Sequence, residues 1–219
     1  MDNASNDIVV TARKRQESLQ DVPLVVSVLN AEQIRSRGIA TVEDVARYTP
    51  GLVFDRGISL QDTRPVIRGL PATRGRPPVG VLLDGIDISA EALGNAGGGS
   101  LLNLRVLNVE RIEVVKGPQS ALYGRSAFAG AISYVSKRPN DKLSGEVRGT
   151  YGRFDTVELA GAISIPLSQS FGVRINGGHS EFGGDYVNPN GGGRLNAFRT
   201  TGGAVAFEID KGADFNAFV

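Results

Sequence analysis

The feature that most constrains the fold is an alternation of apolar with polar or small residues that begins near residue 143. Val147, Gly149 and Tyr151, for example, are separated by Arg148 and Thr150. The same pattern covers residues 143–151, 157–165, 171–176, 198–209 and 213–219. A period of two residues is typical of β-strands with one apolar and one polar face. The chain after residue 142 is therefore predicted to form antiparallel strands.

The connections between these predicted strands differ in length. They are short at 152–155, 167–170 and 210–214, whereas 181–196 is long and rich in glycine. Outer-membrane β-barrels have short periplasmic turns and longer outer loops, and this order fits if residue 142 begins on the periplasmic side. A soluble antiparallel sandwich shows the same alternation, so the pattern alone leaves both architectures open.

The sequence contains no apolar stretch near the roughly 18 to 20 residues that a membrane-spanning helix requires. Met1–Asn6 is short and polar, so no signal peptide is expected within this numbering. If the protein is secreted, its numbering begins after cleavage or the signal is missing.

Composition excludes several classes of function. Lys and Arg (24) nearly balance Asp and Glu (23), which argues against a nucleic-acid-binding protein. The chain has no cysteine and one histidine, His179, so disulfides, Cys/His zinc sites and Cys–His nucleophile pairs are excluded. No Ser–His–acid arrangement can be supported around His179, which is predicted to be structural. We expect neither an enzyme nor a bound metal or cofactor.

Residues 21–139 show a different sequence pattern, in which short apolar runs alternate with segments predicted to be short helices and loops. Asn30 with Gln33, and Thr41 with Asp44, predict two helix starts with capping boxes. Strands are predicted at 22–29, 65–68, 79–83, 112–115 and 132–136. The predicted organisation is an N-terminal segment at 1–20, an α+β domain at 21–139, and a strand region at 142–219, with a joint at Pro139–Asp141.

Four segments carry a resemblance to a known family. Val109–Gly124 reads V-E-R-I-E-V-V-K-G-P-Q-S-A-L-Y-G and continues to Ile132. Val66–Gly69 contains I-R-G, Val81–Gly85 has the form V-x-x-D-G, and Asp7–Ala12 reads D-I-V-V-T-A. Together they strongly resemble the plug domain of TonB-dependent outer-membrane receptors. The fold implied is an α+β plug followed by antiparallel strands of an incomplete transmembrane β-barrel.

By this resemblance, Asp7–Ala12 (Asp7, Ile8, Val9, Val10, Thr11 and Ala12) corresponds to the TonB box, which pairs with the periplasmic domain of TonB. An unpaired β-branched strand would offer its backbone groups to a partner sheet edge. The alternative is an ordinary first strand of the plug. Residues 7–12 locked centrally within a hydrophobic interior would contradict the TonB-box interpretation.

The resemblance also assigns roles to arginines. Arg68 and Arg111 lie where plug arginines of the family face glutamates on the barrel wall, and such pairs are charge-assisted. Arg56, Arg64, Arg74 and Arg76 fall in loops that the family places at the plug apex, facing the substrate. Guanidinium groups there would attract an anionic iron chelate. All six arginines could instead be solvated surface charges.

The function implied is active uptake of a ferric siderophore or a similar substrate across the bacterial outer membrane, with outer-membrane lipid and TonB as partners. A plug-filled barrel of this type needs about 22 strands, and residues 142–219 provide only the first four to five. We therefore expect an N-terminal part of a receptor that does not transport by itself. The alternative is a stand-alone soluble binding module of plug type.

Overall fold

The computed structural model describes residues 8–12, 14–15, 17–56, 63–71, 77–89, 108–210 and 216–218. The chain divides into two compact units, Met1–Ser136 and Lys137–Val219. Each unit has its own sheet system.

The first unit is an α+β structure. Its strands are β1 (Val9–Val10), β2 (Glu17–Ser18), β3 (Val25–Asn30), β4 (Leu52–Arg56), β5 (Thr63–Ile67), β6 (Val79–Leu83), β7 (Ile86–Asp87), β8 (Val109–Lys116) and β9 (Gly130–Ser136). Its helices are α1 (Ala31–Ser36), α2 (Val42–Arg47) and α3 (Ser120–Tyr123), and a 3-10 turn spans Leu19–Asp21. The main sheet has the order β3-β8-β9-β6-β7, and only β6 and β9 pair in parallel within it.

Both predicted capping boxes are confirmed. At α1, the Asn30 side chain accepts from the Gln33 amide at 2.9 Å, and the Gln33 side chain accepts from the Asn30 amide at 3.1 Å. At α2, Thr41 and Asp44 make the same reciprocal pair. These side chains satisfy amide groups that a helix start leaves without intrahelical partners.

Residues with positive φ are required at two places in the first unit, one a turn and the other the start of a strand. Asp84 (φ 49°) and Gly85 (φ 84°) join β6 to β7 through a two-residue hairpin loop, as the D-G pair favours. At Gly130 (φ 155°) a Cβ atom would overlap the Val115 carbonyl oxygen and lie 2.8 Å from Ile67 Cδ1. The close approach of β9 to β8 and β5 therefore depends on this glycine.

The main sheet is covered on both faces by buried apolar side chains. On β8, Ile112 and Val114 belong to a cluster that includes residues of α1, α2, β4 and β5, whereas Val115 belongs to a second cluster. The second cluster contains Val10, Ala12, Val22, Leu82, Val115, Tyr123, Ala127 and Ala131. Successive residues of a strand face opposite sides, so Glu113 points to the same side as Val115. That side is the one on which the N-terminal segment packs.

The second unit is an antiparallel sheet with the order β10-β11-β12-β15-β16. Its strands are β10 (Ser144–Gly152), β11 (Thr156–Ser168), β12 (Phe171–Phe182), β15 (Phe198–Asp210) and β16 (Asn216–Phe218). The long connection after β12 contains a small hairpin, β13 (Tyr186–Val187) and β14 (Arg194–Leu195), that the sequence did not predict. The predicted antiparallel strands are confirmed.

The register places the apolar residues of this sheet on one face. Val147 pairs with Gly161, Ile163 pairs with Ile175, and Ile175 pairs with Val205. Val147 is 90% exposed, and Leu143, Tyr151 and Leu159 are also exposed. The other face carries polar groups, including Glu146, whose Oε1 accepts from Arg174 Nη2 at 2.7 Å and Lys137 Nζ at 2.6 Å. Among the described residues, no helix has the length and apolarity needed to cross a membrane.

Candidate functional site

The N-terminal segment, residues 8–12, is attached to the first unit by a short strand ladder. Val9 pairs with Ser18 and Val10 with Glu17, and the Leu19 amide donates to the Ile8 carbonyl oxygen at 2.8 Å. The expectation of an unpaired extended strand is therefore wrong for this conformation. The β-branched residues that make the segment a good partner for another sheet also pair it with β2.

Burial alternates along the segment. Ile8 and Val9 are 41% and 45% exposed, whereas Val10 and Ala12 are fully buried in the second cluster. The segment is thus partly embedded, and this weighs against a permanently accessible TonB box. Because the side chains of Ile8 and Val9 remain exposed to solvent, the segment lies at the margin of the unit and is not enclosed by it.

Glu113 holds the segment through its backbone. The Thr11 amide donates to both carboxylate oxygens of Glu113, at 2.9 Å to Oε1 and 3.0 Å to Oε2, and Thr11 Oγ1 donates to Oε1 at 3.1 Å. Glu113 has no exposed side-chain surface. A buried carboxylate needs hydrogen bonds to offset its lost hydration, and Thr11 provides three of them.

Arg111 is the second partner of this carboxylate. Its Nε donates to Glu113 Oε1 at 2.8 Å, and its Nη1 donates to Glu110 Oε1 at 2.8 Å. The Arg111 side chain is 12% exposed. The structure therefore brings one predicted lock residue into a chain of contacts, Arg111–Glu113–Thr11, that ends on the predicted TonB box. The predicted pairing of Arg111 with glutamates of a barrel wall stays a prediction.

Tyr123 makes a further contact with the segment. Its hydroxyl group donates to the Ala12 carbonyl oxygen at 2.6 Å, within the second cluster. Burial, with a smaller contribution from the negative charge of Glu113, raises the pKa of Tyr123 to about 12. The phenol is therefore a neutral hydrogen-bond donor over the physiological pH range. Sequence reasoning assigned no site role to Glu113 or Tyr123.

Arg68 occupies a different place from Arg111. It adopts φ 54° at the end of β5, its amide donates to the Gly51 carbonyl oxygen at 3.0 Å, and the residue is exposed. Its Nη1 would lie 3.5 Å from a Cβ atom at Gly117, so the guanidinium group sits over the turn after β8. Burial and the Arg68 charge lower the pKa of Lys116 beside this turn. The contacts of Arg68 with Gly51 and with the turn at Gly117 do not involve Arg111. The predicted pairing of Arg68 with glutamates of a barrel wall stays a prediction.

Of the four predicted apex arginines, the structure describes the side chain of Arg64 alone. Arg64 Nη1 lies 3.7 Å from Asp55 Oδ2, and the two residues pair across β4 and β5. The side chain of Arg56 and the whole of Arg74 and Arg76 lie outside the described residues. His179 Nδ1 is 2.7 Å from Thr201 Oγ1 on the neighbouring strand, in the second unit.

Comparisons with known proteins agree with this architecture. The family described as "TonB-dependent Receptor Plug Domain" matches residues 18–131. The ferrioxamine receptor of Yersinia enterocolitica is 33% identical over 164 residues, covering 72% of this chain and 22% of that protein. The vitamin B12 transporter BtuB of Vibrio vulnificus is 28% identical, covering 98% of this chain and 35% of that protein.

Solved structures show the same fold. The pyoverdine outer membrane receptor FpvA from Pseudomonas aeruginosa superposes with a TM-score of 0.78 at 19% identity, covering 96% of this chain and 29% of that chain. The ferric yersiniabactin uptake receptor FyuA from Yersinia pestis gives a TM-score of 0.74 at 22% identity, covering 85% of this chain and 29% of that chain.

The chain spans 22% of the ferrioxamine receptor and 35% of the BtuB transporter. Its first unit is the α+β plug predicted from the motifs, and its second unit is the antiparallel sheet that follows the plug in these structures. The chain belongs to the TonB-dependent receptor plug domain family.

Proposed function

We propose that the chain forms the plug and the first barrel strands of a TonB-dependent receptor for active uptake of a ferric siderophore or a similar substrate. The observation that carries this proposal is the plug fold with a short N-terminal strand held at its margin. Such a receptor gates transport and performs no covalent chemistry on its substrate. Siderophore and vitamin B12 receptors among the relatives support the substrate class.

An outer-membrane location is supported by the two faces of the second unit. One face exposes Leu143, Val147, Tyr151 and Leu159, and the other holds the buried Arg174 in an ion pair with Glu146. Strands of outer-membrane barrels carry an apolar lipid-facing side and a polar interior side in this alternation. We assign the apolar face to outer-membrane lipid.

The partner for energy coupling is the periplasmic domain of TonB, bound by strand addition to the N-terminal segment. The Ile8 carbonyl oxygen accepts from the Leu19 amide, directly after β2, so the alternation of an antiparallel ladder turns the Val9 backbone toward the opposite edge. The same edge carries the Thr11 amide, which donates to Glu113. An incoming strand would pair along this edge.

For the substrate, we retain the apex arginines as the contact with an anionic chelate. Arg64 is the one with a described side chain, and its carboxylate neighbour Asp55 is 58% exposed. The Arg64 side chain itself is 14% exposed, so its guanidinium group is largely covered beside this carboxylate. The apex role of Arg56, Arg74 and Arg76 rests on the family resemblance.

A peptide of residues 7–13 tests strand addition directly. Calorimetry with the purified periplasmic domain of TonB should detect binding of the native peptide and none with a Val9→Pro peptide, since proline lacks the amide hydrogen. A Val9→Thr peptide, which keeps both the amide and the β-branched side chain, is the matched control. Equal binding by the proline and native peptides would contradict strand pairing.

A further inference from the structure

The edge that strand addition requires is already occupied in this structure. Thr11 donates its backbone amide to both oxygens of Glu113, at 2.9 and 3.0 Å. Val9 and Thr11 share that edge of β1, because alternate residues of a strand direct their backbone groups to the same side. A partner strand extending from Val9 to Thr11 would have to replace Glu113.

Loss of the Thr11 hydrogen bonds would be energetically unfavourable for the Glu113 carboxylate. Glu113 has no exposed side-chain surface, and within the described part of the chain its carboxylate bonds to Thr11 and to the Nε of Arg111. Removing Thr11 leaves a buried charge with Arg111 as its remaining partner until water enters. The segment in its observed position, paired with β2, therefore stabilises the carboxylate, and the carboxylate in turn holds the segment.

The remaining contacts of the segment are compatible with reversible release. The β1–β2 ladder has two residue pairs, and the Leu19 amide bonds to the Ile8 carbonyl oxygen beside it. The Tyr123 hydroxyl group lies 2.6 Å from the Ala12 carbonyl oxygen and 3.4 Å from that of Thr11. Val10 and Ala12 are the apolar side chains that leave the second cluster when the segment moves. A small number of contacts, with one charged centre among them, makes Glu113 the dominant polar restraint.

We propose that Glu113 is an autoinhibitory latch: its carboxylate masks the Thr11 amide and must let go before a partner strand can pair along the segment. This inference rests on the proposed function for the identity of the partner. The latch itself is a property of the first unit and is measurable without TonB. Glu113 acts by positioning the segment.

The natural absence of cysteine makes the test clean, since each introduced thiol is the sole one in the chain. A Val10→Cys chain, kept in detergent, reports exposure of the segment by its rate of maleimide labelling. Adding Glu113→Gln should raise that rate by about tenfold to a hundredfold, the factor expected for losing charge-assisted hydrogen bonds. Glutamine keeps the size of the side chain but presents an amide donor to a site filled with donors.

Two controls isolate the latch. Glu110→Gln removes the other carboxylate bonded to Arg111 and should leave the Val10→Cys rate within about twofold, since Glu110 is 45% exposed and does not hold the segment. An Ala129→Cys chain reports opening of the first cluster, where Ala129 is 2% exposed. Its labelling rate should stay within about twofold when Glu113→Gln is added, because the latch contacts lie on the other face of the sheet.

Equal acceleration at both thiols would show general loosening of the unit, and no acceleration at Val10→Cys would show that Glu113 does not restrain the segment. Either result would overturn the latch. Binding of TonB to the residue 7–13 peptide separates the two ideas. If the free peptide fails to bind, the proposed partner is wrong even when the labelling result holds; if the peptide binds and the labelling is unchanged, only the latch is wrong.

Discussion

Glu113 and Thr11 lie 102 residues apart in the chain, yet the carboxylate of one accepts the backbone amide of the other through both of its oxygens. The contact joins the middle of β8, which lies between β3 and β9, to the N-terminal segment. It also places Arg111, which bonds to the same carboxylate, one side chain away from the segment. A signal that moves Arg111 therefore has a short physical route to Thr11.

Releasing this contact should favour TonB binding by the whole chain. We expect the chain in detergent to bind the TonB domain more weakly than the residue 7–13 peptide does, because the chain must first open the latch. Glu113→Gln should strengthen binding by the chain, by about tenfold or more, toward the value for the peptide. Calorimetry with both ligands measures this, and Glu110→Gln should leave the affinity of the chain unchanged.

Removal of the Tyr123 hydroxyl group should loosen the segment without opening the core. Tyr123→Phe deletes the bond to the Ala12 carbonyl oxygen and should destabilise the segment by about 1 kcal/mol. Amide hydrogen exchange should then quicken at Val10 and Thr11 while β9 keeps its protection. Equal loss of protection in β9 would show that the hydroxyl group supports the entire unit.

Alkaline pH should weaken the first unit through the same residue. The folded-state pKa of Tyr123 is about 12 and the ordinary value is 10.0, so the unfolded chain loses this proton first. The contribution of the neutral Tyr123 phenol to the free energy of unfolding is complete below pH 10 and is lost as the pH rises toward about 12. Burial also raises the pKa of Tyr134, which acts in the same direction.

Unfolding by urea at a series of pH values measures this loss. Tyr123→Phe should reduce the fall in stability above pH 10 and leave the part due to Tyr134. A pH dependence identical to that of the native chain would exclude Tyr123 as its source.

The close approach at Gly130 should make this glycine hard to replace. Gly130→Ala places a Cβ atom against the Val115 carbonyl oxygen and Ile67, so we expect a loss of about 3 kcal/mol. Gly38→Ala is the matched control, because Gly38 also has positive φ (63°) but has open space around it. Its cost should be about 1 kcal/mol, from backbone strain alone. Hydrogen exchange of β8 and β9 provides both values, and equal losses would contradict the packing argument.

A charge on the apolar face of the second unit should oppose membrane association. Val147→Arg should lower the affinity of the chain for phosphatidylcholine vesicles by about 2 to 4 kcal/mol, the cost of arginine on a lipid-facing strand. Thr150→Arg, on the opposite face, is the control. Flotation with vesicles checks both, and an equal effect of the two changes would reject the assignment of the faces.

Local patterns predicted much of this structure. The capping boxes at Asn30 and Thr41 depend on residues three positions apart, and the antiparallel strands after residue 142 follow from a period of two. The hairpin β13–β14 was missed, because each strand has two residues and no alternation can be recognised over so short a run.

The candidate site was harder to predict, because its partners are distant in sequence. Arg111 was singled out by resemblance. Its bond to Glu113 arises because the two residues are two positions apart on β8 and so lie on the same face, but the family motif gives no reason to choose Glu113 as the partner. A signal did exist for Glu113: it is the acidic residue within the apolar run Ile112–Val115, and a buried carboxylate requires partners. That the partner would be Thr11 depends on tertiary packing alone.

The hairpin formed by β1 and β2 also determines how the segment detaches under load. The N-terminal end of β1 lies beside the end of β2 that continues into the rest of the unit, since Val9 faces Ser18 and Val10 faces Glu17. Tension applied at Ile8 consequently unzips the two pairs in succession, with no shearing of a whole ladder, and the force is next borne by Thr11 and Ala12. The mechanical strength of the attachment is therefore set by two anchor points, whatever the stability of the sheet behind them.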